Sequence, residues 1–238
     1  AEDEIEIVIP LPKLDELHQL ASEMKHLMAN GVFPLGDIKK KALGPSLKGS
    51  RMRLLSWRIL LGVITPNSDT ASITKQVVNL RNDYAKRQEI ASVDPHAMGS
   101  LDPNVHNPLS QAEGSAWKKY FYNAELQKEI MQDINRTFPE YPFFRDQLVQ
   151  EMMLRILFLW SFENEDLKYK QGMHELLAPI IFLAYSEYYE DDILSGANSP
   201  FVSTCFDRRH MEADCFSLFD RMMEVCGDFF ALKRSEER

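Results

Sequence analysis

The chain has 238 residues, 45% of them hydrophobic, enough apolar material to fill one large domain or two modest ones. Its 36 acidic against 27 basic side chains give a formal net charge of −9, which argues against a duplex nucleic-acid binder, a task that needs clustered Lys and Arg to displace phosphate counterions. No apolar run reaches the ~18–20 residues that span a bilayer, and the acidic start Ala1-Glu2-Asp3-Glu4 is unlike a signal peptide, so a soluble, intracellular protein is expected.

In chain order, Ile5, Ile7 and Ile9 alternate with Glu4, Glu6 and Val8 and stop at Pro10 and Pro12, which suits a lone strand or an extended docking arm equally. Leu14, Leu17, Leu20, Met24 and Leu27 recur every three or four residues and predict an amphipathic helix over 13–27, ended by Gly31 and Pro34. Residues 1–45 are therefore read as an N-terminal extension with that one helix. Gly44-Pro45-Ser46 breaks the chain, after which Ser46 or Ser50 can cap a helix carrying Trp57 and Arg58. Ile73, Val77, Leu80 and Tyr84 then predict a helix running towards Glu89, and Pro95, Gly99, Pro103 and Pro108 make 92–109 a long loop, mobile or a binding surface.

Ser110-Gln111-Ala112-Glu113 is a capping-box pattern for a helix bearing Trp117 and Phe121. A further helix is expected almost at once, with Leu126, Ile130 and Ile134 on one face and Asp133 and Arg136 on others, closed by Phe138-Pro139 and Tyr141-Pro142. Residues 147–162 are apolar nearly all round, as in a central buried helix. A helix from Gly172 to Tyr189 is expected to kink at Pro179. The acidic Glu187, Glu190, Asp191 and Asp192 lead into a second polar loop, and a last helix spans about 210–230. Cys205, Cys215 and Cys226 lack zinc or redox spacing and read as reduced, mostly buried thiols. Helical periods dominate and no second strand partners the first, so the fold class is all-α.

Two polar residues fall outside this packing logic. Arg136 ends Ile130-Met131-Gln132-Asp133-Ile134-Asn135-Arg136, and Gln171 sits in Tyr169-Lys170-Gln171-Gly172-Met173, with the apolar helix of 147–162 between them as a spacer. Taken singly, the arginine would be a solvated helix-end charge and the glutamine a polar helix-start residue. As a pair they suit one chemistry. Arginine carries a permanent charge on a planar fork that can meet a phosphoryl oxygen, and a carboxamide can align a water molecule while bonding to backbone.

The two segments have the forms I-x-x-D-x-x-R and Y-x-Q-G-M, and upstream Arg53-Leu54-Leu55-Ser56-Trp57-Arg58-Ile59-Leu60-Leu61-Gly62 reads R-x-x-x-W-R-x-L-L-G. In that order they resemble the fingerprints of the TBC-domain Rab GTPase-activating proteins. Residues 107–115 and 170–179 resemble the retromer-associated branch of that family. The resemblance implies a multi-helix TBC domain of two helical lobes, of which 46–238 would be the N-terminal lobe with both catalytic motifs; motifs of the second lobe are absent. It implies an activator that supplies residues in trans rather than an enzyme with its own substrate pocket. Arg136 would stabilise transition-state charge and Gln171 would position the attacking water, on a loop shaped by Tyr169 and Gly172. Trp57 reads as core. Asp133 would either pair locally with Arg136 or, more sharply, with Arg58 to set the angle of the finger helix.

Other chemistry is not supported. His174-Glu175 begins like a zinc-protease H-E-x-x-H, but position 178 is Ala. With no phosphate-cradling Gly loop and no G-x-S-x-G, the chain is expected to bind no nucleotide of its own; GTP and Mg²⁺ would arrive on the partner Rab. The resemblance further implies a cytoplasmic protein recruited to endosomal membranes, with a retromer-type coat as a second partner. The alternative function is a non-catalytic helical adaptor that docks such a coat.

Overall fold

The three-and-four-residue recurrence near the start folds as expected into α1 (Leu14–Leu27), which buries Leu17, Leu20, Met24 and Leu27. A second helix, α2 (Leu35–Leu43), follows within the expected extension. Its sequence hides it, because Ile38 is its one buried residue and Leu43 is left exposed, so no apolar stripe announces it. The computed structural model describes residues 11–28, 31–92, 116–197 and 199–232. The arm or strand of 4–10, the loop of 93–109 and the capping box of 110–113 lie outside the described residues.

α3 (Arg53–Leu60) is started in an unexpected way. Ser50 does not cap it: the Ser50 hydroxyl accepts from the Met52 amide and donates to Glu23. The cap comes from far along the chain, where Glu187 accepts from the Leu54 amide at 2.9 Å and the Arg53 amide at 3.3 Å, and from Arg53 Nε at 2.8 Å. Glu187 is fully buried, so it belongs to the scaffold and not to the polar loop that follows. Burial pushes its carboxyl upward, and these donors oppose the shift.

α4 (Thr70–Ala91) is capped conventionally, Asp69 accepting from the Ser72 amide at 2.7 Å. α5 (Ala116–Ile134) is continuous where two helices were expected. α6 (Gln147–Glu163) opens on Asp146, which accepts from the Leu148 and Val149 amides. It is the central helix that its composition predicts, with Val149, Met153, Ile156 and Leu157 fully buried. α7 (Met173–Glu187) carries Pro179 inside it. The expected polar loop after it contains two short helices, α8 (Asp191–Leu194) and α9 (Pro200–Cys205), the second started by Pro200 behind a Ser199 cap. Neither is long enough to show a period. α10 (Met211–Leu232) closes the described chain.

α5 packs on α6, and α10 packs on α4, α6 and α7. Two apolar clusters result. The larger joins α5, α6, α7 and α10, and the smaller joins α1 and α2 to α3, the start of α4 and the α8–α9 region. α3 lies between them, giving Leu54 to the larger and Leu55 and Ile59 to the smaller. Among the described residues β structure is limited to two single bridges, Val32 with Asp69 and Tyr189 with Asp207. The all-α fold is therefore observed. No described helix is both long and apolar enough to cross a membrane. Cys205 and Cys215 are buried, which pushes the Cys205 thiol up to about 12 and Cys215 well above its usual value.

The clusters are tied together at Asp214, a fully buried carboxylate on α10. Arg81 of α4 donates to both its oxygens, at 3.1 and 2.7 Å, and sends Nη1 to the Thr204 carbonyl of α9. Tyr188, the residue after α7, donates at 2.7 Å. Arg58 of α3 lies 3.2 Å away, 1% exposed. Losing the carboxylate would leave two guanidinium groups in the interior without a counter-charge. Asp214→Asn is expected to lower unfolding free energy by about 3–5 kcal/mol. Asp83→Asn, which breaks an exposed 3.6 Å pair with Lys86, is expected to change it by less than ~0.5 kcal/mol. Denaturant titration of both variants checks the contrast.

Candidate functional site

The end of α5 is built to present one side chain. Ile130 and Ile134, four residues apart, are fully buried and fix that face of the helix against the core. The helix tightens after Ile134 through bonds from the Arg136 amide to the Asp133 carbonyl and from the Thr137 amide to the Ile134 carbonyl. Thr137 Oγ1 also donates to the Asp133 carbonyl. Phe138, at φ 41°, then turns the chain away. Beyond it Phe138, Tyr141, Phe144, Pro179 and Phe182 line an apolar hollow of about 310 Å³. Arg136 is left with its side chain 55% exposed, and its Nη2 donates to Asp133 Oδ1 at 2.5 Å.

The second side chain comes from the turn between α6 and α7. Asn164 ends α6 and its carbonyl accepts from the Leu167 and Lys168 amides. Lys168 and Gly172 both take positive φ, 56° and 101°. At Gly172 a Cβ would find ordinary contact with Phe230 at 3.7 Å, so it is the backbone angle and not crowding that calls for glycine. Gln171 lies on the exposed shoulder of this turn, and its carboxamide makes no hydrogen bond among the described residues.

Asp133 joins the two. It is 8% exposed, and while Oδ1 takes Arg136, Oδ2 accepts from the buried Tyr169 hydroxyl at 2.8 Å. This bond ties the turn carrying Gln171, two residues after Tyr169, to the helix end carrying Arg136. Burial, and then the bond to Asp133, hold the Tyr169 phenol well above its ordinary value, which keeps it a donor. His174 Nδ1 sits 3.0 Å from the same hydroxyl and accepts from the Gly172 amide. Sequence reasoning weighed this histidine as a zinc ligand and set it aside. Its immediate position after the glutamine turn, polar at the start of a helix otherwise buried, was the signal available.

The expected pairing of Asp133 with Arg58 is not found. Arg58 faces Asp214, and Asp133 makes the local pair with Arg136 instead. The reason is burial: the Arg58 guanidinium has no route to the surface and must take its counter-charge from α10. The first motif is scaffold throughout, with Arg53 bound to Glu187, Arg58 to Asp214 and Trp57 packed against the larger cluster. No group of His, Cys, Asp and Glu among the described residues is arranged to hold a metal ion.

Arg136 and Gln171 are both exposed, as their motifs lead one to look for. Residues 50–236 match the Rab-GTPase-TBC domain. The chain is 36% identical over 88% of its length to TBC1 domain family member 5 of Mus musculus, covering 26% of that protein, and 36% identical over 83% to the homolog B of that protein in Dictyostelium discoideum, covering 19%. GTPase-activating protein gyp1 of Schizosaccharomyces pombe is 25% identical over 75% of the chain and 30% of its own length. In fold, the Ypt/Rab-GAP domain of Gyp1p superposes with a TM-score of 0.59 at 19% identity, over 90% of this chain and 58% of that one. The chain belongs to the Rab-GTPase-TBC domain family. It spans about a quarter of the length of the first of these relatives.

The Tyr169 bond to Asp133 is the part of the site that stability measurements reach. Tyr169→Phe leaves Oδ2 of a buried carboxylate without its donor, and about 1.5–3 kcal/mol of unfolding free energy is expected to be lost, read from the shift of the denaturant midpoint.

Proposed function

We propose that this protein accelerates GTP hydrolysis on a Rab-family small GTPase by supplying Arg136 and Gln171 in trans. One observation carries the reading: a buried bond from Tyr169 to Asp133 ties the turn that carries the exposed Gln171 to the helix end that carries the exposed Arg136. Family membership and the names of the gyp1 and Gyp1p relatives support it.

As the bond to the γ-phosphate breaks, negative charge shifts onto phosphate oxygens, and the attacking water has to be aligned. Arg136 answers the first need. Its pairing with Asp133 is a half-exposed contact one turn apart, worth only about 0.2–0.5 kcal/mol, so the guanidinium can leave the carboxylate for a phosphoryl oxygen at small cost. Asp133 meanwhile holds it near the working position between encounters. Gln171 answers the second need, one end of the carboxamide accepting from the water and the other donating to the partner's backbone. GTP and Mg²⁺ belong to the partner in this scheme. The apolar hollow of Phe138, Tyr141, Phe144, Pro179 and Phe182, which begins two residues after Arg136 in the chain, is the kind of surface that seats a protein rather than a small charged ligand. We also infer an endosomal setting with a retromer-type coat as a further partner, supported by the likeness of residues 107–115 and 170–179 to the retromer-associated branch of the family.

Single-turnover GTP hydrolysis by a panel of purified Rabs, one of them lacking its own catalytic glutamine, tests the scheme. A responsive Rab is expected to lose about 10³–10⁵ in accelerated rate with Arg136→Ala, and Gln171→Ala is expected to abolish acceleration of the glutamine-lacking Rab. A panel in which no Rab responds, or one that responds equally to Arg136→Ala, would overturn the reading and leave the docking function in its place.

A further inference from the structure

His174 is a buried imidazole, 2% exposed, that no step of the proposed chemistry uses. It stands at the first turn of α7, and its Nδ1 faces three groups. The Gly172 amide donates to it at 3.3 Å, the Tyr169 hydroxyl lies at 3.0 Å, and Asp133 Oδ2 lies at 3.7 Å. On the other side of the ring Glu175 Oε1 is 3.8 Å from Nε2, beyond hydrogen-bond reach. Because the Gly172 N–H points at Nδ1, the neutral ring carries its proton on Nε2.

The Gly172 nitrogen belongs to the peptide unit that joins Gln171 to Gly172. Holding that N–H sets the plane of the peptide and therefore the direction in which Gln171 leaves the turn. The turn needs such a tether, since Gly172 at φ 101° is a residue that can swing between backbone regions at little cost. We propose that His174 is a positioning residue which fixes the Gln171–Gly172 peptide and so the direction in which Gln171 leaves the turn. The inference rests on the two-residue reading above.

Charge on the ring decides whether the tether exists. A protonated Nδ1 donates to the Tyr169 oxygen and can no longer accept from Gly172. The groups facing the ring are Asp133 and Arg136 at the end of α5, Tyr169 on the turn and Glu175 on α7. Burial lowers the imidazole from its ordinary value, Asp133 and Glu175 raise it, Arg136 lowers it, and the net direction is down. The tether is thus whole at neutral pH and lost as pH falls through a point below about 6.5, the ordinary histidine value.

Two measurements test this. In amide NMR of the free protein, the Gly172 signal is expected to titrate with the His174 ring; a Gly172 signal that stays flat while the ring titrates would overturn the proposal. In multiple-turnover hydrolysis on a responsive Rab, His174→Leu is expected to lower kcat by roughly 10–100-fold with KM little changed, the scale of a misplaced catalytic group. His174→Asn, whose side-chain oxygen can take the place of Nδ1, is expected to restore kcat to within about threefold and to lack the acid limb of the pH profile. Intrinsic hydrolysis by the Rab at each pH is subtracted. Wild-type kcat in His174→Leu, or an unchanged acid limb in His174→Asn, would refute the role; should the leucine variant not fold, the asparagine profile and the Gly172 titration decide. If Arg136→Ala and Gln171→Ala abolish acceleration while His174→Leu does not reduce it, only this inference fails; if neither finger variant matters, the underlying reading fails with it.

Discussion

The buried carboxylate of Asp214 is the constraint on which the arrangement of helices depends. Two guanidinium groups and one phenol converge on it from α3, α4 and the end of α7, and Arg81 extends the cluster to the α9 carbonyl of Thr204. Such a cluster is a weak source of net stability, because desolvating the charges offsets their attraction. What it supplies is discrimination. Any packing that separates these helices strands a charge in the interior, so alternative arrangements of equally apolar helices are excluded. Glu187 acts in the same manner one residue before Tyr188, binding the start of α3 to the end of α7.

The same helix connects this node to the candidate site. α7 is 15 residues long, about 22 Å at 1.5 Å per residue. One of its ends is fixed at Glu187 and Tyr188, and the other carries His174 immediately after the Gln171 turn. Ten of the 15 residues of α7 are buried, which seats the helix between these two ends. The far end of the helix is thereby anchored in the core, and at the near end His174 accepts from the Gly172 amide.

A difference in exposure separates what is held from what is free. Asp133, Tyr169 and His174 are buried, with Tyr169 bonded to Asp133 and His174 to the Gly172 amide, while Arg136 and Gln171 are exposed. Rigid support below and unengaged side chains above is the arrangement that lets a group meet a partner's transition state without prior reorganisation. In the proposed function it also explains why neither residue has a strong partner of its own. The weak pair with Asp133 restrains Arg136 without competing seriously with a phosphate.

Long helices were legible in the sequence because they are long enough to read: α1 and α4 follow from apolar spacing, α6 from its all-round apolar composition, and breakers such as Pro34 and Pro142 mark boundaries between helices. The short helices α2, α8 and α9 were not, since one or two turns give no period. Arg136 and Gln171 were found from motif form, and the structure brings their elements to one carboxylate. Of the two partners open to Asp133, local spacing supplied the one observed, Arg136, while the sharper pairing with Arg58 failed because Arg58 is buried against Asp214. Sequence by itself determined an all-α chain with two candidate finger residues, since both depend on local pattern. Only the tertiary structure decided that Glu187 caps α3, that Asp214 gathers Arg58 and Arg81, and that His174 tethers the glutamine turn, because a buried charge or polar group chooses its partner by burial and distance across the fold, and neither is written in the order of residues.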